Sequence, residues 1–164
     1  MRSVAAVLMS LALLSAEPWS VGIAVQLPTS PLQLERVASK WILELDYARS
    51  RPQQITNSDC ATFVNHSGSS VTHVQIMFSA VDGEGIPKRR SLSFDMRETV
   101  KPGQSSSDFA RCLSDGYANG DRGLWLVAWV NEVDFADGTS WHAPPEKDVV
   151  AYIALAVRDH SGQL

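Results

Sequence analysis

The sequence predicts an all-β fold, a two-sheet antiparallel sandwich, and three observations carry that expectation. Asp137-Gly138 stands between the run Trp125 to Phe135 and the run Thr139 to Trp141. That is the pattern of a tight type I′ hairpin turn, whose central residues need φ > 0, which Asp tolerates and Gly adopts without strain. Val74, Ile76, Phe78 and Ala80 alternate with His73, Gln75 and Ser79, the period of a strand with one face buried. Turn signals rich in glycine, proline and serine separate six or seven such runs over about 120 residues, the spacing of a sandwich or small barrel.

The first element is an address. Met1-Arg2-Ser3 supplies a positive start, Val4 to Leu14 is apolar, and small and turn-forming residues lead to Gly22-Ile23-Ala24. This layout is that of a secretory signal peptide over residues 1–24, with small residues at −3 and −1 for a cut after Ala24. A cut after Ala16 is the alternative and puts Leu14 at −3. A spanning helix needs about 20 apolar residues, more than this run supplies, so no stable membrane anchor is expected after cleavage. The expected location is secreted or periplasmic. Residues 25–164 then have the size of one domain.

Residues 25–38 contain Pro28, Pro31 and several polar residues and read as a loose lead-in. Trp41, Leu43, Leu45 and Tyr47 alternate with Glu44 and Asp46, which predicts the first strand, although a helix through Leu34, Ala38, Trp41 and Leu45 also fits the spacing. Cys60 to Asn65 predicts a strand ended by the small polar turn 66–70. The strand through Val74 to Ala80 stops at Asp82-Gly83-Glu84-Gly85. Leu92, Phe94 and Met96 share one side of a further strand. Lys101-Pro102-Gly103 is a turn, and residues 113–123, with three glycines, are expected to be irregular. The longest strand runs from Leu124 to Phe135, with Trp125 and Trp129 sharing a parity with Val127, Val133 and Phe135 and therefore expected in the core. The sandwich domain thus spans 39–143.

The segment 144–164 changes character. Val149, Ile153, Ala156 and Val157 recur at helical spacing, with proline before the first turn, acids early, Arg158 and His160 late, and Gly162 beyond. Its β-branched content also suits a last strand, so either a short helix or a closing strand is expected.

Composition bounds function. A formal net charge of −4 offers no electrostatic footprint for nucleic acid. Lys88-Arg89-Arg90 is flanked by Asp82, Glu84 and Asp95 and reads as a solvated hairpin tip. Two cysteines, Cys60 and Cys112, in an exported chain predict a disulfide closing a loop of about 52 residues. Neither has a Cys-x-x-Cys partner, so redox catalysis has no support.

The candidate sites are few. Asp115, Asn119 and Asp121 lie in a glycine-rich loop that matches part of an EF-hand pattern, but Tyr117 and Leu126 occupy its third and twelfth positions, so a plain turn is the stronger reading. His66 and His73 flank one turn, while His142 and His160 are distant; no metal-binding spacing joins them, no metal site is expected, and only the fold could gather one. No Gly-x-Ser-x-Gly elbow occurs. Trp141, with His142 beside it, either caps the core edge or forms the candidate binding surface. Asn65-His66-Ser67 is a glycosylation acceptor pattern that matters only in a eukaryotic secretory pathway.

Cys60-Ala61-Thr62-Phe63-Val64-Asn65, Val74-Gln75-Ile76-Met77-Phe78 and Phe135-Ala136-Asp137-Gly138-Thr139-Ser140-Trp141 together resemble small exported bacterial immunoglobulin-like domains of uncharacterised role, over roughly residues 55–143. The resemblance implies an immunoglobulin-like sandwich and no catalytic residue. An antibody-type domain is excluded because no Trp lies between the two cysteines. The expected function is an exported, non-catalytic binding or interaction module without a cofactor, meeting a protein partner through a sheet edge or hairpin loops. A small-ligand or cation carrier using the 115–121 loop or the aromatic hairpin is the alternative. A small secreted enzyme is a third reading, and it requires His66, His73 or His142 to converge with a carboxylate in a cleft.

Overall fold

The computed structural model describes residues 19–46, 51–88, 90–106, 113–114 and 124–162. Among them are β1 (Trp19–Val21), β2 (Ile23–Ala24), β3 (Leu32–Asp46), β4 (Arg51–Asn65), β5 (Val71–Val81), β6 (Leu92–Met96), β7 (Leu113–Ser114), β8 (Trp125–Phe135), β9 (Ser140–His142) and α1 (Glu146–Ser161). One sheet has the order β1-β3-β4-β7; the other has β2-β8-β5-β6, with β9 also pairing β8. All pairings are antiparallel except β2 with β8. Among the described residues the chain is mostly β, in two sheets with one C-terminal helix.

Leu34, Val37 and Phe63 of the first sheet meet Val74, Ile76, Phe78, Val130 and Val133 of the second in one apolar cluster. Phe63 and Phe78 are fully buried, and each such side chain contributes roughly 1.5–3 kcal/mol by leaving water. A second cluster lies on the opposite face of β5 and β8. There Val149, Ile153 and Val157, one turn apart on α1, close over Val81, Val127 and Trp129, together with Ile23, Val25 and Leu27. The layers are therefore sheet, sheet and helix.

The C-terminal segment resolves as helix. Pro145 sits at the N-cap position, Glu146 and Asp148 occupy the first turn, and Arg158 and His160 the last, a charge order that complements the helix dipole. Its β-branched residues do not prevent this: on the helix Val149, Ile153 and Val157 stand one turn apart and form the single stripe that is buried against the sheet.

Four expectations change. Residues 32–38, read as part of a loose lead-in, form the first half of β3; Leu32, Leu34 and Val37 are buried in the core. The prolines that made this stretch look loose stand before the strand, not within it. Leu113 and Ser114, placed in an irregular stretch, pair with Asp59 and Ser58. The Asp137-Gly138 hairpin is not the two-residue turn. Gly138 N–H donates to Phe135 O and Phe135 N–H to Thr139 O, with Gly138 at φ 84°, which is the three-residue loop with glycine in the left-handed position.

The fourth change concerns parity. The register of β5 against β8 shifts between Gln75/Glu132 and Ile76/Val130, leaving Asn131 as an extra residue. A bulge reverses the facing of everything beyond it. Trp129 is buried as expected, but toward α1, whereas Val133 and Phe135 turn inward between the sheets. The boundary at residue 24 also falls inside folded structure, since Ile23 and Ala24 form β2. The facing of Trp41, Leu43 and Leu45 lies outside the described side chains, and Tyr47 outside the described residues.

Candidate functional site

Beyond the end of α1's cover, the outer face of the second sheet turns polar. His73 and Gln75 on β5, Asp95 on β6, and Glu132 and Asp134 on β8 come together there through cross-strand register: Gln75 pairs with both Asp95 and Glu132, and His73 with Asp134. The Asn131 bulge is what makes this possible. Without it, Glu132 and Asp134 would point between the sheets and Val133 outward. Asn131 holds its place by donating from Nδ2 to Gln75 Oε1 at 2.6 Å, while its carbonyl accepts from Ala143 N–H at 2.8 Å.

His73 lies between two carboxylates. Its Nδ1 is 3.1 Å from Asp134 Oδ2 and its Nε2 is 3.1 Å from Asp95 Oδ1. Gln75 Nε2 donates to the same Asp95 oxygen at 3.2 Å. On the far side, Ser140 Oγ donates to Asp134 Oδ1 at 2.6 Å, and His142 Nδ1 stands 3.8 Å from Glu132 Oε2 across the β8–β9 pair. The Ser140 hydroxyl, followed by His73, holds the Asp134 carboxyl below its ordinary value against some opposing desolvation. Asp134 is thus presented as a carboxylate.

His73, Glu132 and Asp134 each offer one ligand atom, and these atoms all lie within 4.8 Å of one another. A neutral imidazole has one N–H, so only one of its nitrogens can donate to a flanking carboxylate; the other presents a lone pair. An ion that takes that lone pair and a carboxylate oxygen together removes the conflict. Two ligand atoms about 2.0–2.1 Å from one tetrahedral zinc ion are about 3.3 Å apart, close to the 3.1 Å between His73 and Asp134. Imidazole with carboxylates suits a borderline divalent transition metal better than calcium, which takes an all-oxygen shell. The side chains of His73, Glu132 and Asp134 are 20, 32 and 39% exposed, so an ion can reach the face directly.

The expected sites fall out differently. Asp115, Asn119, Asp121 and Cys112 lie outside the described residues; Cys60 is buried in β4. Trp141 is half-buried and packs against both apolar clusters, so it caps the sheet edge. His142 is exposed at the rim of the histidine–carboxylate face and also borders a hollow of about 390 Å³ with Leu27, Pro28 and Tyr152. His66 is not gathered in: its Nε2 meets Gln33 Oε1 at 3.0 Å on the first sheet. His160 packs edge-on to Trp125 with ring centroids 5.2 Å apart. The expectation of no metal site thus meets a cluster of metal-ligating groups that no sequence spacing announces. The alternation of His73 with Gln75 and of Glu132 with Asp134 was the only available signal. Compared with known proteins, the chain matches no family model, no curated protein and no solved structure.

Proposed function

We propose that this chain is an exported, non-catalytic sandwich domain that binds one divalent transition-metal ion, zinc in the first instance, through His73, Glu132 and Asp134. The observation that carries the reading is the convergence, through cross-strand register alone, of an imidazole and two carboxylates whose ligand atoms lie within 4.8 Å of one another. It lies apart from the 115–121 loop, which is outside the described residues, and makes the cation reading stronger than a protein-binding surface at Trp141, whose ring is engaged in packing. Asp95 and His142 supply further donors at the edge of the site.

The open sheet face favours binding over catalysis, since a reaction site needs walls that exclude water and orient substrate. An immunoglobulin-like wiring is part of the proposal. Counting from β3, the first, second and fifth strands form one sheet and the third, fourth, sixth and seventh the other, which supports a Greek-key sandwich of that type. Export is supported by the leader pattern of the first residues; in addition, no described helix is long and apolar enough to cross a membrane.

The test is calorimetric titration of chelator-treated protein with zinc, copper and calcium chloride, beside His73→Ala and Asp134→Asn. One equivalent of zinc should bind, both variants should lose most of the affinity, and calcium should give no heat. At a free zinc concentration about 100 times Kd, stability should rise by about 2.7 kcal/mol. Absence of zinc binding by the unsubstituted protein, or undiminished binding by His73→Ala, rejects the proposal.

A further inference from the structure

Residues 19–25 are woven into both sheets. Trp19, Ser20 and Val21 pair antiparallel with Lys40, Ser39 and Ala38 on β3, extending the first sheet. Ile23 and Ala24 then pair parallel with Val127 and Ala128 on β8, at the edge of the second. The crossing from one sheet to the other happens at Gly22, whose N–H donates to Val37 O at 2.8 Å. A Cβ at that position would come within 2.7 Å of Val37 Cγ1 and 3.1 Å of Leu126 O, so the backbone passes where only glycine fits. Ile23 is buried in the cluster beneath α1, beside Val149, Ile153 and Val157. Val25 N–H completes the crossing by donating to Ala128 O at 2.8 Å.

A chain beginning at Val25 would lack β1, at one edge of the first sheet, and β2, which covers part of the β8 edge of the second, and would leave open the part of the α1 cluster that Ile23 fills. Unpaired edges also invite association with other chains. We infer that the exported protein keeps this crossing, and that its leader is removed at the Ala16–Glu17 bond instead of after Ala24. The inference rests on the export part of the reading above and is independent of metal binding. Ala16 is a small residue just past the apolar run Val4 to Leu14, and a cut after it leaves Trp19 to Ala24 in the product. In the step itself a leader peptidase acts in trans. Water adds across the bond: the Ala16 carbonyl carbon takes the hydroxyl and becomes the leader's carboxylate end, while the Glu17 nitrogen takes a proton and becomes the new amino terminus.

The experiment expresses the full chain with a C-terminal tag in a secreting host and reads intact mass and N-terminal sequence from the denatured exported fraction. It is repeated with Ala16→Arg and Ala24→Arg, each placing a charge at the −1 position of one candidate cut. Reading denatured protein keeps the result independent of whether Ala24→Arg folds. The expected product begins Glu17-Pro18-Trp19, Ala16→Arg accumulates as precursor, and Ala24→Arg is trimmed like the unsubstituted chain. A product beginning at Val25, or a precursor blocked by Ala24→Arg alone, overturns the inference while leaving export intact. Recovery of only the full-length chain from inside the cell overturns the export reading and the inference with it.

Discussion

Replacing Asn65 should cost the sandwich about 3 kcal/mol of stability. Asn65 is fully buried at the end of β4. Its Oδ1 accepts from Ser67 N–H at 2.9 Å and from Ser67 Oγ at 2.7 Å; its Nδ2 donates to Ser69 O and Val100 O, both at 2.9 Å. The backbone N–H of Ser67 fixes which side-chain atom is oxygen. With both amide hydrogens engaged and no exposed surface, the folded chain does not offer this side chain for glycosylation. Asn65→Ala removes four bonds at a net of about 1 kcal/mol each. Val100 O keeps Val71 N–H, and the Ser67 hydroxyl, freed from Asn65, can donate to Ser69 O instead, which trims the loss to about 3 kcal/mol. Asn65→Asp separates hydrogen bonding from size. It is isosteric, yet it sets an oxygen against two carbonyl oxygens, so it should cost at least as much as the alanine change. Urea unfolding with the cysteines left oxidised measures both. An Asn65→Asp protein within about 0.5 kcal/mol of the unsubstituted one, the usual effect of a neutral surface change, refutes the reasoning.

Asp134 should give the molecule an acid-sensitive element. Its carboxyl is held below the ordinary value of 3.8, first by Ser140 and then by His73. A lowered folded value means stability fully present above the unfolded value and lost as pH falls through the folded one, so this contribution should fade below about pH 4. Ser140→Ala should move the Asp134 carboxyl upward in an NMR titration; no movement would dismiss the Ser140 contact. Gly85→Ala should destabilise by about 2 kcal/mol, because φ is +80° there and a Cβ would stand 2.6 Å from Ala154 Cα of α1. An unchanged urea midpoint would mean that the loop does not press on the helix. Leu113, next to Cys112 in the chain, pairs with Asp59, next to Cys60. The protein, exported as proposed above, should therefore show no thiol when denatured, and reduction should lower stability by about 4 kcal/mol; two titratable thiols would dismiss the bond.

What the sequence determined by itself was local. The alternation through Val74 to Ala80, the face formed by Leu92, Phe94 and Met96, and the glycine turns at 82–85 and 137–138 each follow from short-range sterics and a fixed side-chain period, whereas Val149, Ile153 and Val157 suit a helix and a strand alike, and only the sheet face they cover decides for the helix. The tertiary structure decided whatever depends on a partner strand. A period of two presumes unbroken register, and nothing in Val130-Asn131-Glu132 marks Asn131 as the residue that β5 leaves unpaired. That one insertion separates Trp129 from Val133 and puts Glu132 and Asp134 on the face of His73. The residues of the candidate site come from β5 and β8, about 60 positions apart, so no spacing rule could gather them. The same holds for Trp19 to Ala24. Read in sequence alone they look like the end of a leader, and only the two sheet edges, with Gly22 able to pass between them, make them strands.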